Sequence, residues 1–121
     1  MKKILIVDDE EDLRVVLTFR LEASGFQVVT AHNGMEALKA AKQELPDLVL
    51  LDVMMPFIDG YEVCETLKAG KATEKIPIII LTAKKTVGDM DHAFRVGADD
   101  FMSKPYDSGE LISKIKKFLQ E

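Results

Sequence analysis

The sequence predicts a doubly wound α/β sandwich: a five-stranded parallel sheet in the order 2-1-3-4-5, covered by helices on both faces. Three observations predict it. Five short apolar runs alternate with five segments of helical periodicity, the pattern of repeated strand, crossover helix and strand units with right-handed connections. Three of the runs, at residues 4–7, 48–51 and 76–82, are almost uninterrupted in their apolarity, as strands buried on both faces must be. They therefore belong in the middle of the sheet, and the shorter or more polar runs at 26–31 and 98–103 belong at its edges. The simplest winding that satisfies this reverses direction between the first and third strands, and such sheets bind ligands outside the carboxyl ends of their strands at that point.

Each element has its own local cause. Residues 4–7 end in Asp8-Asp9-Glu10-Glu11-Asp12, acids that suit the positive end of a helix dipole, and Leu13, Val16 and Leu17 then recur at helical spacing until Gly25. After the second strand, Asn33 with Glu36 three residues later has capping-box form and opens a helix with Ala37, Leu38, Ala41 and Leu45 on its buried face, closed by Pro46. The third strand ends at Asp52, and Pro56, Asp59 and Gly60 make the next segment a stiff turning loop. Gly60, Val63, Cys64 and Leu67 form a third helical face ending at Gly70. The fourth strand includes Pro77 near its first residues, a tolerable position. Val87, Met90, Ala93 and Phe94 form a fourth helical face stopped by Gly97. Asp107 and Glu110 again have capping-box form, before a last helix burying Leu111, Ile112, Ile115, Phe118 and Leu119.

Composition narrows the function. A length of 121 residues, 47% hydrophobic and 31% charged, suits one domain with a real core. A net charge of −5 argues against direct nucleic-acid binding, because phosphates would be repelled. The apolar run after Met1-Lys2-Lys3 is too short for a signal peptide and no run reaches membrane-spanning length, so the expectation is a cytoplasmic protein without membrane contact. Cys64 stands alone and forms no zinc spacing with His32 and His92, so it is expected to be a small packing residue and the histidines solvated. Met54, Met55 and Met90 are likewise read as packing residues.

Asp52 is the residue to explain, because a strand buried on both faces has no ordinary use for a carboxylate at its end. Asp8, Asp9 and Asp52 meet at the switch point of the predicted sheet. At ~5 Å and an effective dielectric constant of ~20, each pair of carboxylates repels by roughly 3 kcal/mol. A bound cation removes that penalty, and an all-oxygen site with room for water favours Mg²⁺. Asp9 and Asp52 are the best side-chain ligands, with Asp8 either direct or through water, and a backbone carbonyl from the loop after Asp52 could add another. On the same rim Thr82 ends the fourth strand and Lys104 follows the fifth. A hydroxyl, an ammonium and a divalent cation around one carboxylate are what a phosphoryl group requires, with Asp52 as nucleophile.

Taken in order, residues 4–9, 51–56, 81–84, 97–100 and Lys104-Pro105 resemble the receiver domain (CheY-like) of bacterial two-component response regulators, a flavodoxin-like fold. The resemblance covers nearly all of the chain and implies one receiver domain over residues 1–121, with no effector domain visible. It implies that Asp52 accepts a phosphoryl group from the phosphohistidine of a sensor histidine kinase or phosphotransfer protein. Asp8, Asp9, Asp52 and the Met54 carbonyl would hold Mg²⁺. Thr82 and Lys104 would then be drawn to the phosphoryl group, remodelling the face of helix 4, strand 5 and helix 5 for a downstream protein or effector domain. Such a chain is a self-phosphorylating and self-dephosphorylating switch, not a turnover enzyme.

Two features depart from the family pattern. Phe101 occupies the switch position where a tyrosine is common and cannot make a hydroxyl hydrogen bond, which predicts a softer or biased switch. Asp99 and Asp100 fit receivers that dimerise through helix 4, strand 5 and helix 5, but Lys114 stands where those have arginine, and His92 and Arg95 do not continue their charge pairs. Lys84, Lys85, Lys114, Lys116 and Lys117 are read as solvated surface, and Tyr106 as either a partner contact or a packing residue. Other functions fit less well. A haloacid-dehalogenase enzyme wants Asp where Met54 stands. A flavodoxin-like nucleotide carrier wants Ser, Thr or Gly where the run from Asp8 to Asp12 is acidic. A degenerate docking receiver lacks the acceptor or the lysine, and both are present.

Overall fold

The computed structural model describes residues 1–83 and 87–120, Val87 by its backbone alone. Its elements run β1 (Lys3–Val7), α1 (Glu11–Ala23), β2 (Gln27–Ala31), α2 (Gly34–Glu44), β3 (Leu48–Asp52), α3 (Gly60–Ala69), β4 (Ile78–Thr82), α4 (Val87–Arg95), β5 (Asp100–Ser103) and α5 (Ser108–Leu119). The strands are all parallel in the order β2-β1-β3-β4-β5, as the run of apolarity predicts. Side-chain alternation along each strand divides the core into two layers. Leu5, Val7, Val49, Leu51, Ile78 and Ile80 face α2, α3 and α4, packing with Ala37, Ala41, Val63, Cys64, Leu67 and Ala93. Ile4, Ile6, Leu48, Leu50, Ile79 and Leu81 face α1 and α5, packing with Leu17, Leu21, Leu111 and Ile115. Each fully buried aliphatic side chain stabilises the fold by roughly 1.5–3 kcal/mol, so the three central strands supply much of the driving force.

The ends of the elements follow from capping. The side chains of Asn33, Asp59 and Asp107 accept hydrogen bonds from the backbone N–H groups of Glu36, Glu62 and Glu110 at 2.8, 3.0 and 2.9 Å. The Glu36 carboxylate reaches back one residue further than a capping box requires and accepts from the His32 N–H at 3.0 Å. Gly25 and Gly97 leave α1 and α4 at φ of +92° and +99°, where a Cβ would be strained.

Several boundaries and faces differ from the sequence expectation. Three strands start later than their apolar runs, at Gln27, Ile78 and Asp100; Pro77 lies outside β4, where its carbonyl accepts from Val49 N–H. Leu45 is not on the buried face of α2. It is the C-cap, left-handed at φ +45° and exposed. Val16, Met54, Met90 and Phe94 are exposed, whereas Met55 packs in the core as expected. α1 carries apolar residues on more than one side, so spacing alone does not choose which side the sheet covers, whereas α4 keeps its apolar residues on one side and buries only the edge of it at Ala93. Cys64 is buried and its thiol is pushed up to about 12, by burial first, so it is a packing residue. His32 and His92 are exposed; His92 stacks on Tyr61 with ring centroids 4.0 Å apart. Tyr106 is half-buried against the α1 and α5 layer, which favours packing. Lys84 and Lys85 lie outside the described residues. No helix among the described residues is long and apolar enough to cross a membrane.

Candidate active site

Three strand ends converge at the switch point of the sheet. β1 delivers Asp8 one residue beyond Val7, where Asp8 N–H bonds to Ala31 carbonyl at 3.1 Å. β3 delivers Asp52, paired in register with Leu81 of β4. β5 delivers Lys104, whose N–H bonds to Thr82 carbonyl at 2.8 Å and so ties the lysine to the end of β4. Asp8, Asp52 and Thr82 are 2%, 4% and 0% exposed, an unusual burial for polar groups that have to be matched by partners.

The partners are mutual. Lys104 Nζ lies 2.7 Å from Asp8 Oδ2, 3.5 Å from Asp52 Oδ1 and 3.9 Å from Glu10 Oε1. Asp8 Oδ1 accepts from Glu10 N–H at 2.9 Å, and the Asp8 carbonyl accepts from Arg14 at 2.6 Å. Asp52 Oδ1 accepts a long bond, 3.4 Å, from Met54 N–H. Burial pushes the Asp52 carboxyl up from 3.8 to about 6, with the charges of Asp8 and Asp9 adding to it and Lys104 and the Met54 N–H holding it down. Burial disfavours the Lys104 ammonium, but the hydrogen bond to Asp8 and the charges of Asp52, Asp8 and Glu10 outweigh it and raise the lysine.

Asp8, Asp9 and Glu10 each offer an oxygen within 4.8 Å of the others. This hard, all-oxygen donor set fits Mg²⁺, and Asp52 faces the same ammonium as Asp8 without being part of the triad. The sequence marks Glu10 only as a helix-dipole acid; its membership of the cluster follows from the sharp turn between Val7 and Glu11, where Glu10 N–H bonds Asp8 Oδ1, which spacing does not reveal. The cleft beside the cluster, about 370 Å³, is lined by Asp9, Val53, Met54, Met55, Pro56 and Asp59. A larger groove, about 580 Å³, runs along α1 against Ile112 and carries no carboxylate, so it is not the site of this chemistry. Gly60 holds the cleft's loop close to β3: a Cβ there would lie 2.8 Å from Val53 Cα and nearer still to the Asp52 carbonyl oxygen. Phe101, the last site residue singled out from sequence, is buried among the α4-facing layer beside Ala93 and Ala98.

Comparison with known proteins agrees with this geometry. Residues 4–116 match the family of the response regulator receiver domain. The chain is 47% identical over 119 residues to the alkaline phosphatase synthesis transcriptional regulatory protein PhoP of Bacillus subtilis, covering 98% of this chain and 49% of that protein. It is 41% identical over 120 residues to the phosphate regulon transcriptional regulatory protein PhoB of Rhizobium meliloti, covering 99% and 53%. It thus spans about half the length of these relatives. A putative response regulator from Chloroflexus aurantiacus superposes with a TM-score of 0.93 at 34% identity, covering 99% of this chain and 98% of that one. The receiver domain of sensor histidine kinase PA1611 from Pseudomonas aeruginosa, with a magnesium ion coordinated in its active site cleft, superposes at 0.91 and 28% identity, covering 99% and 98%. The sheet order, the acid and lysine cleft at its switch point and these matches converge, and the chain belongs to the receiver domain family of two-component response regulators.

Proposed function

We propose that Asp52 is the phosphoacceptor of a signalling switch. The observation that carries this is its buried carboxylate at the end of the central strand β3, 3.5 Å from the ammonium that also bonds Asp8. As a nucleophile, an Asp52 oxygen forms a bond to phosphorus while the bond from phosphorus to the imidazole nitrogen of a donor phosphohistidine breaks, leaving an acyl phosphate. Asp8, Asp9, Asp52 and the Met54 carbonyl would hold Mg²⁺, which when bound supplies positive charge against the phosphoryl oxygens.

Lys104 exchanges its bond to Asp8 for one to a phosphoryl oxygen, and Thr82 turns its hydroxyl to another. Because Lys104 is tied to β4 and continues β5, its movement is felt at Phe101, three residues away on β5 and packed beneath α4. The face of α4, β5 and α5 would then carry the output to a partner. Lys114 bonds Asp100 within the chain at 2.9 Å, which leaves that pair less available to a dimer through this face. The two PhoP and PhoB relatives are transcriptional regulators about twice as long, so the output is assigned to an attached or separate effector and the nucleic-acid contact to that effector. The chain acts once per phosphoryl group and releases it by hydrolysis, a switch and not a turnover enzyme.

Incubation with Mg²⁺ and acetyl phosphate is expected to give an acid-stable, base-labile phosphoryl adduct, absent after chelation and absent from Asp52→Ala. Equal labelling of Asp52→Ala, or no labelling of the native chain, would defeat the assignment.

A further inference from the structure

We propose that Arg14 is a positioning residue for the metal site: by holding the Asp8 carbonyl it fixes the direction in which the Asp9 carboxylate leaves the chain. The inference rests on these acids binding Mg²⁺. Arg14 is the fourth residue of α1, where a cation opposes the positive end of the helix dipole. The acidic run from Asp8 to Asp12 precedes it, yet among the described residues its guanidinium forms no ion pair with a carboxylate. Instead Arg14 Nη1 donates to the Asp8 backbone carbonyl at 2.6 Å, a short, charge-assisted bond.

Neither the sheet nor the helix serves that carbonyl. β1 pairs with β2 and β3 only as far as Val7, and the Glu10 carbonyl is the one that accepts from Arg14 N–H, at 3.1 Å, where α1 begins. The Asp8 carbonyl falls between the two, and a backbone acceptor drawn away from water costs free energy unless it is paired. The guanidinium pairs it. Asp8 is then held at every polar atom: its N–H by the Ala31 carbonyl, its carbonyl by Arg14, and its two carboxylate oxygens by Glu10 N–H and Lys104.

Asp9 has no such anchors. Its carboxylate lies within 4.8 Å of those of Asp8 and Glu10 and lines the cleft, yet among the described residues no hydrogen bond or ion pair holds it. Its direction is inherited from the backbone. The Asp8 carbonyl and the Asp9 N–H share one planar peptide unit, so a guanidinium bound to one end sets the plane from which the Asp9 Cα departs. With that bond gone the peptide is free to turn, and ordering Asp9 for the metal costs conformational entropy at the moment of binding. Charge and position act in opposite senses. As a cation beside the acids Arg14 repels Mg²⁺, so losing its charge alone tightens binding; losing its hold on the carbonyl weakens binding. Arg14 is partly exposed and its charge is screened by water, so position is the larger effect.

The test is calorimetry of Mg²⁺ binding to wild type, Arg14→Met and Arg14→Lys, with acetyl phosphate labelling over a series of Mg²⁺ concentrations as the second readout. Arg14→Met is expected to bind Mg²⁺ about tenfold more weakly, as loss of a group that orients a metal ligand does. Its labelling is expected to need about tenfold more Mg²⁺ for half the maximal rate and to reach the wild-type rate at saturation, because Arg14 bonds neither Asp52 nor Lys104. Arg14→Lys keeps the charge and an N–H donor and is expected to recover part of the affinity. A cooperative urea transition in chelator shows that each variant is folded; if Arg14→Met is not, Arg14→Gln, which also removes the charge, takes its place. Mg²⁺ binding by Arg14→Met equal to or tighter than wild type overturns the proposal and leaves the metal site standing. A lysine variant no better than methionine overturns it, because the bond to the carbonyl is then not what was lost. A labelling rate that stays low at saturating Mg²⁺ overturns it too, since the arginine would then act on the acceptor and not on the metal ligand. No Mg²⁺ binding by wild type overturns the metal site and this proposal together.

Discussion

Replacing Asp52 by asparagine is expected to stabilise the metal-free protein at neutral pH, and the size of the gain follows from the site. Burial, then the Asp8 charge, raise the Asp52 carboxyl from 3.8 to about 6 against the opposing pull of Lys104 and the Met54 N–H. Each factor of ten in proton affinity is worth about 1.4 kcal/mol, so ionising Asp52 in the fold costs about 3 kcal/mol more than in the unfolded chain. The sign follows from proton counting. Between pH 4 and 6 the folded state holds a proton that the unfolded state has released, so stability falls as pH rises through that window and the loss is complete above it. Asparagine keeps an oxygen facing Met54 N–H but never ionises. Urea unfolding in chelator, from pH 4 to 8, should give equal stabilities near pH 4 and an advantage for Asp52→Asn of about 2–3 kcal/mol at pH 7.5, roughly 10 °C in Tm. Parallel profiles across the whole range, or a less stable asparagine variant at pH 7.5, would show that the acid is not under the strain described.

Three further outcomes probe the surroundings. Gly60→Ala puts a methyl group against Val53 Cα and the Asp52 carbonyl and should destabilise by about 1–3 kcal/mol in urea, with weaker acetyl phosphate labelling because the loop beside Asp52 has to shift. Lys104→Met removes the ammonium 2.7 Å from buried Asp8 and should lower stability in chelator by about 3 kcal/mol, while Mg²⁺, meeting less positive charge, binds more tightly by calorimetry. It should also still accept a phosphoryl group while losing the change in partner binding. The Phe101 ring resonances should differ between the Mg²⁺ form and the form carrying a phosphate mimic; identical ring environments would remove Phe101 from the switch.

Sheet order was readable because burial on two faces demands unbroken apolarity, and only three runs have it. The candidate site was legible for a related reason: Asp52 and Thr82 are polar groups at the ends of otherwise apolar strands, where packing gives them no purpose, and Lys104 follows the edge strand on the same rim. Other features depend on contacts that spacing does not encode. Val16 has helical spacing yet faces outward, because α1 carries apolar residues around more of its circumference than the sheet can cover, and Met90 and Phe94 face outward because α4 turns only the Ala93 edge of its apolar face to the core. Leu45 and Phe57 adopt positive φ without glycine or asparagine to announce it. Glu10 joins the acidic cluster only through the turn out of β1. That Lys104 contacts Asp8 more closely than Asp52 is likewise a matter of side-chain geometry, invisible in the order of residues.

The central claim is that one carboxylate, Asp52, takes the phosphoryl group. The most direct measurement is to phosphorylate the chain with acetyl phosphate and Mg²⁺, reduce the acyl phosphate with borohydride and map the modified residue by mass spectrometry. The account predicts homoserine at position 52 and at no other acid of the cleft. Reduction product at Asp8, Asp9 or Glu10, or none at all from chain that has taken up phosphate, would contradict it.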